Sequence, residues 1–237
     1  MAAILFDLDD TLYARQDPFA RAFLKTFGDR FDFGSLDMTS IYTAFVRYGL
    51  DLFNASMSGE VSMETMYIDR IRKTMLFTGY AITDGEALRF QAQYAEEQTD
   101  LRLSPTMCRV LDECAAKASF TGIVSNGDSA HQRRKFKTLG LSKWFSPDRF
   151  LPTGDLGINK PDPAVLLEAQ KRWGLRSEDT WYAGDSLKND IACAAGIGWH
   201  TLWLNRYHEP ASPLPERTAA SEEELLANIK NILEDRL

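Results

Sequence analysis

The sequence predicts an α/β protein: a Rossmann-like parallel sheet with helices on both faces, interrupted after its first strand by an all-α segment. Three observations carry this. An apolar run at Ala2–Leu8 shows no polar alternation and ends in carboxylates, as a fully buried strand does. From residue 14 to 100 apolar residues recur at helical spacing with no β-branched strand run between them. From Ser104 onward, helical and extended patterns alternate, which is the βαβ rhythm of a parallel sheet.

The elements follow in order. After Tyr13, Asp17-Pro18 supplies a cap and a helix-start proline, and Phe19, Phe23 and Phe27 line one face of an amphipathic helix. Ile41, Phe45, Tyr48 and Leu52 mark a second helix, Met63, Tyr67, Ile71 and Met75 a third, and 88–95 a fourth. The alternating half then gives a helix over 105–118, a strand over 119–125, a helix over 129–139 and a short extended piece at 149–153. A helix over 163–173, a strand at 180–183, a helix over 187–195 and a strand at 199–204 complete the pattern. Residues 209–216 read as a Pro-rich loop and 222–232 as a final surface helix. The expected organisation is an α/β core of residues 1–13 and 101–237 with a helical insertion over 14–100, placed as a lid over the end of the first strand.

Composition excludes several classes. With 237 residues, 44% hydrophobic and 26% charged, the chain has the material for a real core and no signature of disorder. A balance of 27 Lys+Arg against 34 Asp+Glu gives a net charge of −7, which repels a nucleic-acid backbone, so no nucleic-acid partner is expected. The apolar run at the start is far short of the ~20 residues that span a bilayer and lacks a charged leader, so no membrane partner is expected either. Three cysteines, Cys108, Cys114 and Cys193, without CxxC spacing support neither a disulfide framework nor a zinc ribbon, and a cytoplasmic setting is expected. The expected assembly is a monomer or homodimer.

In open parallel sheets ligands bind outside the carboxyl ends of the strands. There the sequence delivers Asp7-Leu8-Asp9-Asp10-Thr11, Ser125-Asn126-Gly127, Asn159-Lys160-Pro161-Asp162-Pro163, and Gly184-Asp185 with Asn189 and Asp190 just beyond. Strand alternation puts Asp7 and Asp9 on one side, so two carboxylates are expected to share a site. With Asp185 and Asp190 added, four acidic groups require a counter-cation. All-oxygen ligands select a hard ion, and Mg²⁺ suits carboxylates with retained waters better than zinc does. A divalent ion and Lys160 against four carboxylates leave about −1, so phosphate binds only with both in place.

These four segments, in this order, resemble the motifs of the haloacid dehalogenase superfamily, and the helical insertion resembles that family's helical cap. The resemblance covers essentially the whole chain and implies an Mg²⁺-dependent phosphatase acting on a small phosphorylated metabolite. By it, Asp7 is the nucleophile that forms an aspartyl-phosphate, Asp9 the general acid and base, and Lys160 the group that neutralises charge on the nucleophile and transferring phosphoryl. Ser125 and the Asn126 backbone amide hold phosphate oxygens, and Thr11 and Lys160 belong to the same substrate-binding set. The metal sits between Asp7, the backbone carbonyl of Asp9 and Asp185, with Asp190 behind, orienting that shell. Asp10 is expected to point away as a local cap.

The same fold hosts other chemistries, so the site has to decide. Dehalogenases resembling this chain lack an aspartate at position 9. Phosphonatases need an imine-forming lysine in the cap, for which Lys25 and Lys73 are the candidates. A phosphomutase shares the whole site, and an inactive binding module is the reading outside enzymes. Substrate choice is expected to rest on the insertion, through Arg15, Arg21, Arg47 and Tyr48, with nucleoside monophosphates the leading candidates.

Overall fold

A computed structural model of the chain describes residues 1–33, 36–57 and 60–234. It divides into two compact units, Met1–Ala14 with Arg102–Leu237, and Arg15–Leu101.

The first unit is a six-stranded, all-parallel sheet: β1 (Ala3–Phe6), β2 (Phe120–Ser125), β3 (Phe150–Pro152), β4 (Thr180–Gly184), β5 (His200–Leu204) and β6 (Arg217–Ala219), in the order β3-β2-β1-β4-β5-β6. Every β1 residue is buried, because β1 is central and both its faces are covered. From β1 the chain proceeds to β2 on one side, and later to β4 on the other. The strand order therefore reverses beside β1, and the carboxyl ends of β1 and β4 flank that switch point, where such sheets open a crevice. One sheet face buries Leu5, Val124 and Tyr182 against Val165, Leu166 and Trp199.

The ladder of β1 ends at Phe6, two residues before the expected end, although the Asp7 amide still bonds the Ala183 carbonyl at 2.9 Å. Beyond it, Asp10 takes a left-handed conformation, φ 61°, which turns the chain out of the sheet. The expected helix over 187–195 is in fact a π-helical turn, Leu187–Ile191, followed by a short α-helix, Ala192–Gly196. The extra residue in that turn swings Asp190 back toward β4. Strand β6 is absent from the sequence expectation. With three residues it is too short for a periodic signal, and only pairing with β5 creates it.

The second unit contains α1 (Gln16–Phe27), α2 (Met38–Met57), α3 (Met63–Phe77) and α4 (Asp84–Glu97). Ser62 caps α3 through the Thr65 amide, and Thr83 with Glu86 forms a reciprocal capping box on α4. Phe19, Phe23 and Phe27 are all buried. They meet Tyr42, Phe45 and Phe90 in a continuous aromatic cluster, with the Phe19 and Phe45 ring centroids 4.7 Å apart. Glu97, at the end of α4, accepts from Arg21 at 2.7 Å and Lys25 at 2.6 Å and ties α4 to α1.

The core unit continues with α5 (Pro105–Lys117), α6 (Ser129–Thr138), α7 (Ala164–Trp173), α8 (Ala192–Gly196) and α9 (Glu222–Glu234). Cys114 and Cys193 are buried and Cys108 half-buried, all three as free thiols. Among the described residues no helix is long and apolar enough to cross a membrane.

Candidate active site

Three carboxylates meet at the switch point. Asp7 follows β1, Asp185 follows β4, and Asp190 comes from the π-helical turn. Each offers an oxygen lying within 4.8 Å of the other two. The turn locks itself: Ser186 Oγ accepts from the Asn189 amide at 3.1 Å, and Asp190 Oδ2 accepts from the Ser186 amide at 3.0 Å. Asp190, expected to stand behind the metal ligands, is a member of the cluster itself.

Lys160 closes the cluster from the other side. Lys160 is 3% exposed, and its ammonium donates to Asp7 Oδ1 at 2.8 Å, Asp190 Oδ1 at 2.6 Å, the Tyr182 hydroxyl at 2.7 Å and the Val124 carbonyl at 3.1 Å. Burial alone would lower the lysine's pKa, but the Asp190 and Asp7 carboxylates outweigh it and hold the ammonium firmly protonated. Asp7 is pushed up from the usual carboxylate range. Burial is the main cause, Lys160 opposes it, and the charges of Asp190 and then Asp9 add to it. Tyr182 is a site residue that the sequence reading missed. Its hydroxyl donates to the Val124 carbonyl at 2.8 Å and is kept neutral by burial. In sequence it looks like an ordinary aromatic of a buried strand.

Asp9 departs from expectation. Its side chain does not join the carboxylate cluster but turns to Lys135, whose ammonium lies 2.7 Å from both Asp9 oxygens. Gln132 Nε2 donates to Asp9 Oδ2 at 3.0 Å, and the Tyr13 hydroxyl donates to Asp9 Oδ1. The ladder ends at Phe6 and the chain turns at the left-handed Asp10, so the strict alternation that would leave two carboxylates side by side does not extend to Asp9. The site thus has a second internal cation, and the charge count of about −1 rises to about zero with a divalent ion present. Nothing in the motif spacing marks Lys135, because it stands among Arg133, Arg134 and Lys137 on a polar helix.

The remaining predicted residues surround this centre. Thr11 is fully buried, and its hydroxyl lies 3.4 Å from Asp185 Oδ1. Ser125 Oγ is buried at the end of β2 and has no hydrogen-bond partner among the described residues. The Asn126 side chain grips the peptide of Lys160, donating to its carbonyl at 2.8 Å and accepting from its amide at 2.9 Å. Asn126 therefore positions the lysine. Asp10 reaches beyond its own turn: its carboxylate accepts from Tyr207 at 2.6 Å, and Arg206 donates to the Asp10 and Thr11 carbonyls. The loop after β5 thereby holds the left-handed turn in place.

The residues fit a hard cation. Asp7, Asp185 and Asp190 offer oxygen only, without His or Cys. The orphaned Ser125 hydroxyl fits an anion beside it, since a buried unpaired hydroxyl costs stability unless a ligand takes it.

Residues 1–198 match the family described as haloacid dehalogenase-like hydrolase, and the chain belongs to that family. It is 26% identical over 238 residues to the glyceraldehyde 3-phosphate phosphatase of Methanocaldococcus jannaschii, covering 98% of both chains. Among solved structures it resembles the HAD-hydrolase YfnB from Bacillus subtilis bound to magnesium, with TM-score 0.68, 22% identity, and coverage of 96% of this chain and 98% of that one. It also resembles the 2-haloacid dehalogenase from Pseudomonas syringae, with TM-score 0.56, 22% identity, and coverage of 97% and 98%. Those two likenesses establish the shared fold, and the choice of chemistry rests on the site.

Proposed function

We propose that this protein is a divalent-metal-dependent phosphatase, with Mg²⁺ the preferred ion, that hydrolyses a small phosphorylated metabolite through an aspartyl-phosphate on Asp7. The observation that carries the reading is the meeting of Asp7, Asp185 and Asp190 beside Lys160 and an unpartnered Ser125 hydroxyl. A full-length relative is named a phosphatase of a phosphorylated three-carbon sugar, which supports the same class of substrate.

In the first step an Asp7 carboxylate oxygen attacks phosphorus, the bond from phosphorus to the leaving oxygen breaks, and Asp9, which enters this step protonated and with its ion pair to Lys135 loosened, gives its proton to the departing alcohol. In the second, Asp9 takes a proton from water, whose oxygen attacks phosphorus and releases phosphate and free Asp7. Lys160 keeps positive charge beside Asp7 through both steps, and Ser125 donates to a phosphoryl oxygen. Asp7, Asp185 and Asp190, with the Asp9 backbone carbonyl, would hold the cation, which when bound supplies positive charge to the transferring group.

Phosphonatase chemistry is disfavoured at Lys25. Its hydrogen bond with Glu97 raises its pKa, whereas imine formation needs a free amine. The helical unit enters the chain directly after the Asp7–Tyr13 segment, which supports its reading as the cap that selects substrate, with nucleoside monophosphates and small sugar phosphates the classes to compare.

The test is phosphate release from a panel of phosphorylated metabolites, with Mg²⁺ and with excess chelator. Mg²⁺-dependent release supports the proposal. Full activity in chelator, or release of halide from haloacids in place of phosphate, overturns it.

A further inference from the structure

We infer that Lys135 is a positioning residue for Asp9, and that through Lys135 and Gln132 helix α6 is part of the reaction centre. This rests on the proton-transfer role assigned above to Asp9.

The argument begins with what α6 buries. Its sequence, Ser-Ala-His-Gln-Arg-Arg-Lys-Phe-Lys-Thr, is among the most polar in the chain, yet Gln132, Lys135 and Phe136 form its buried face at helical spacing. Phe136 is ordinary core and stacks on Phe150. Lys135 is not. Its side chain is 10% exposed, while the α6 cations Arg133 and Lys137 remain exposed, and a buried ammonium is costly unless paired. Its partner, Asp9, is spanned symmetrically at 2.7 Å to each oxygen.

Gln132, one turn earlier, extends the grip. Its amide nitrogen bridges Asp9 Oδ2 at 3.0 Å and the Asn126 carbonyl at 2.6 Å, which ties Asp9 to the residue that follows Ser125 at the end of β2. Gly127 leaves room for this contact, since a Cβ there would lie 2.6 Å from the Gln132 nitrogen. With Tyr13 on Oδ1, three side chains hold two oxygens and remove the rotational freedom of a short carboxylate. A proton donor must stand within hydrogen-bond reach of the leaving oxygen, and a misplacement of about 1 Å can cost about a hundredfold in rate. A salt bridge serving stability alone would need neither the symmetric span nor the link through Gln132 to the phosphate-binding end of β2.

The test compares kcat/KM of wild type, K135M, K135R and D9N on nitrophenyl phosphate and on an alkyl monophosphate from the metabolite panel. An alkyl leaving group needs the proton from Asp9, whereas nitrophenolate leaves without it. The expected result is that K135M loses at least about tenfold more on the alkyl than on the aryl substrate. K135R should restore most of the difference, and D9N/K135M should be no worse than D9N, as for residues acting as one unit. Magnesium titrations should be alike for wild type and K135M. If K135M does not fold, Q132M is measured instead and should show the same leaving-group signature. Equal losses on both substrates, additive losses in the double variant, or an unaffected K135M beside an impaired D9N overturn the inference alone. D9N with wild-type activity on the alkyl phosphate overturns both the inference and the proton-transfer role on which it rests.

Discussion

Gly184 and Asp190 approach so closely that a Cβ at position 184 would lie 2.4 Å from the Cβ and 2.5 Å from the Cγ of Asp190. Only a residue without a side chain lets the π-helical turn fold back against the end of β4 and bring Asp190 to the cluster. G184A should therefore displace Asp190, cost about 1–3 kcal/mol of stability through overpacking, and weaken divalent-ion binding. Thermal unfolding with and without Mg²⁺ checks this: the variant should lose both midpoint and most of the metal-induced rise. An unchanged rise would show that Asp190 is not needed for the ion.

Lys160 is the buried counter-charge for Asp7 and Asp190. K160M should abolish phosphatase activity and cost about 3–5 kcal/mol, because it leaves buried carboxylates unpaired. Adding D190N should recover part of that stability but none of the activity. Denaturant unfolding of the single and double variants is the measurement, and a K160M protein as stable as wild type would contradict the pairing.

D7N removes the nucleophile and should lower kcat by more than about a thousandfold. Burial raises the Asp7 pKa, so its ionised form is a cost to the folded state at neutral pH. The metal-free variant should accordingly melt at the same temperature as wild type or higher. Lower stability together with retained turnover would remove Asp7 from its assigned role.

Glu97 gives the helical unit an acid-sensitive tie. Its hydrogen bonds with Lys25 and then Arg21 lower its pKa from 4.5 to about 2. A depressed carboxylate pKa contributes stability that is fully present above the unfolded value and is lost as pH falls through the folded one. The contribution therefore fades between about pH 4.5 and pH 2. E97Q should cost about 1 kcal/mol at neutral pH, flatten the loss of stability across that window, and matter less at high salt because its partners are exposed. Unfolding midpoints of both proteins across the window decide it: parallel curves would mean that Glu97 does not drive the acid limb.

The legible part of this protein was written in local chemistry. Asp7, Ser125 and Asp185 stand where apolar strand patterns stop, Lys160 follows a few residues after a third such pattern, and an open parallel sheet brings such ends to one edge, as the meeting of Asp7, Asp185 and Lys160 illustrates. The aromatic spacing of Phe19, Phe23 and Phe27 likewise specified a helix and its buried face. Lys135, Gln132 and Tyr182 were not legible. A lysine among other cations on a polar helix carries no local sign of Asp9, 126 residues away, nor does a tyrosine in an apolar strand carry one of Val124 or Lys160, 58 and 22 residues away.

By itself the sequence determined the parallel α/β class, the helical insertion and the acidic, lysine-bearing edge, because these follow from periodicity and from residue types at strand ends. The tertiary structure alone decided which carboxylates cluster. The left-handed turn at Asp10, held by Arg206 and Tyr207, and the extra residue of the π-helical turn set side-chain directions that strict strand and helix periods cannot express. Asp190 thus joins Asp7 and Asp185, and Asp9 turns to Lys135. Long-range ion pairing, which depends on where the chain returns and not on its local pattern, makes that division.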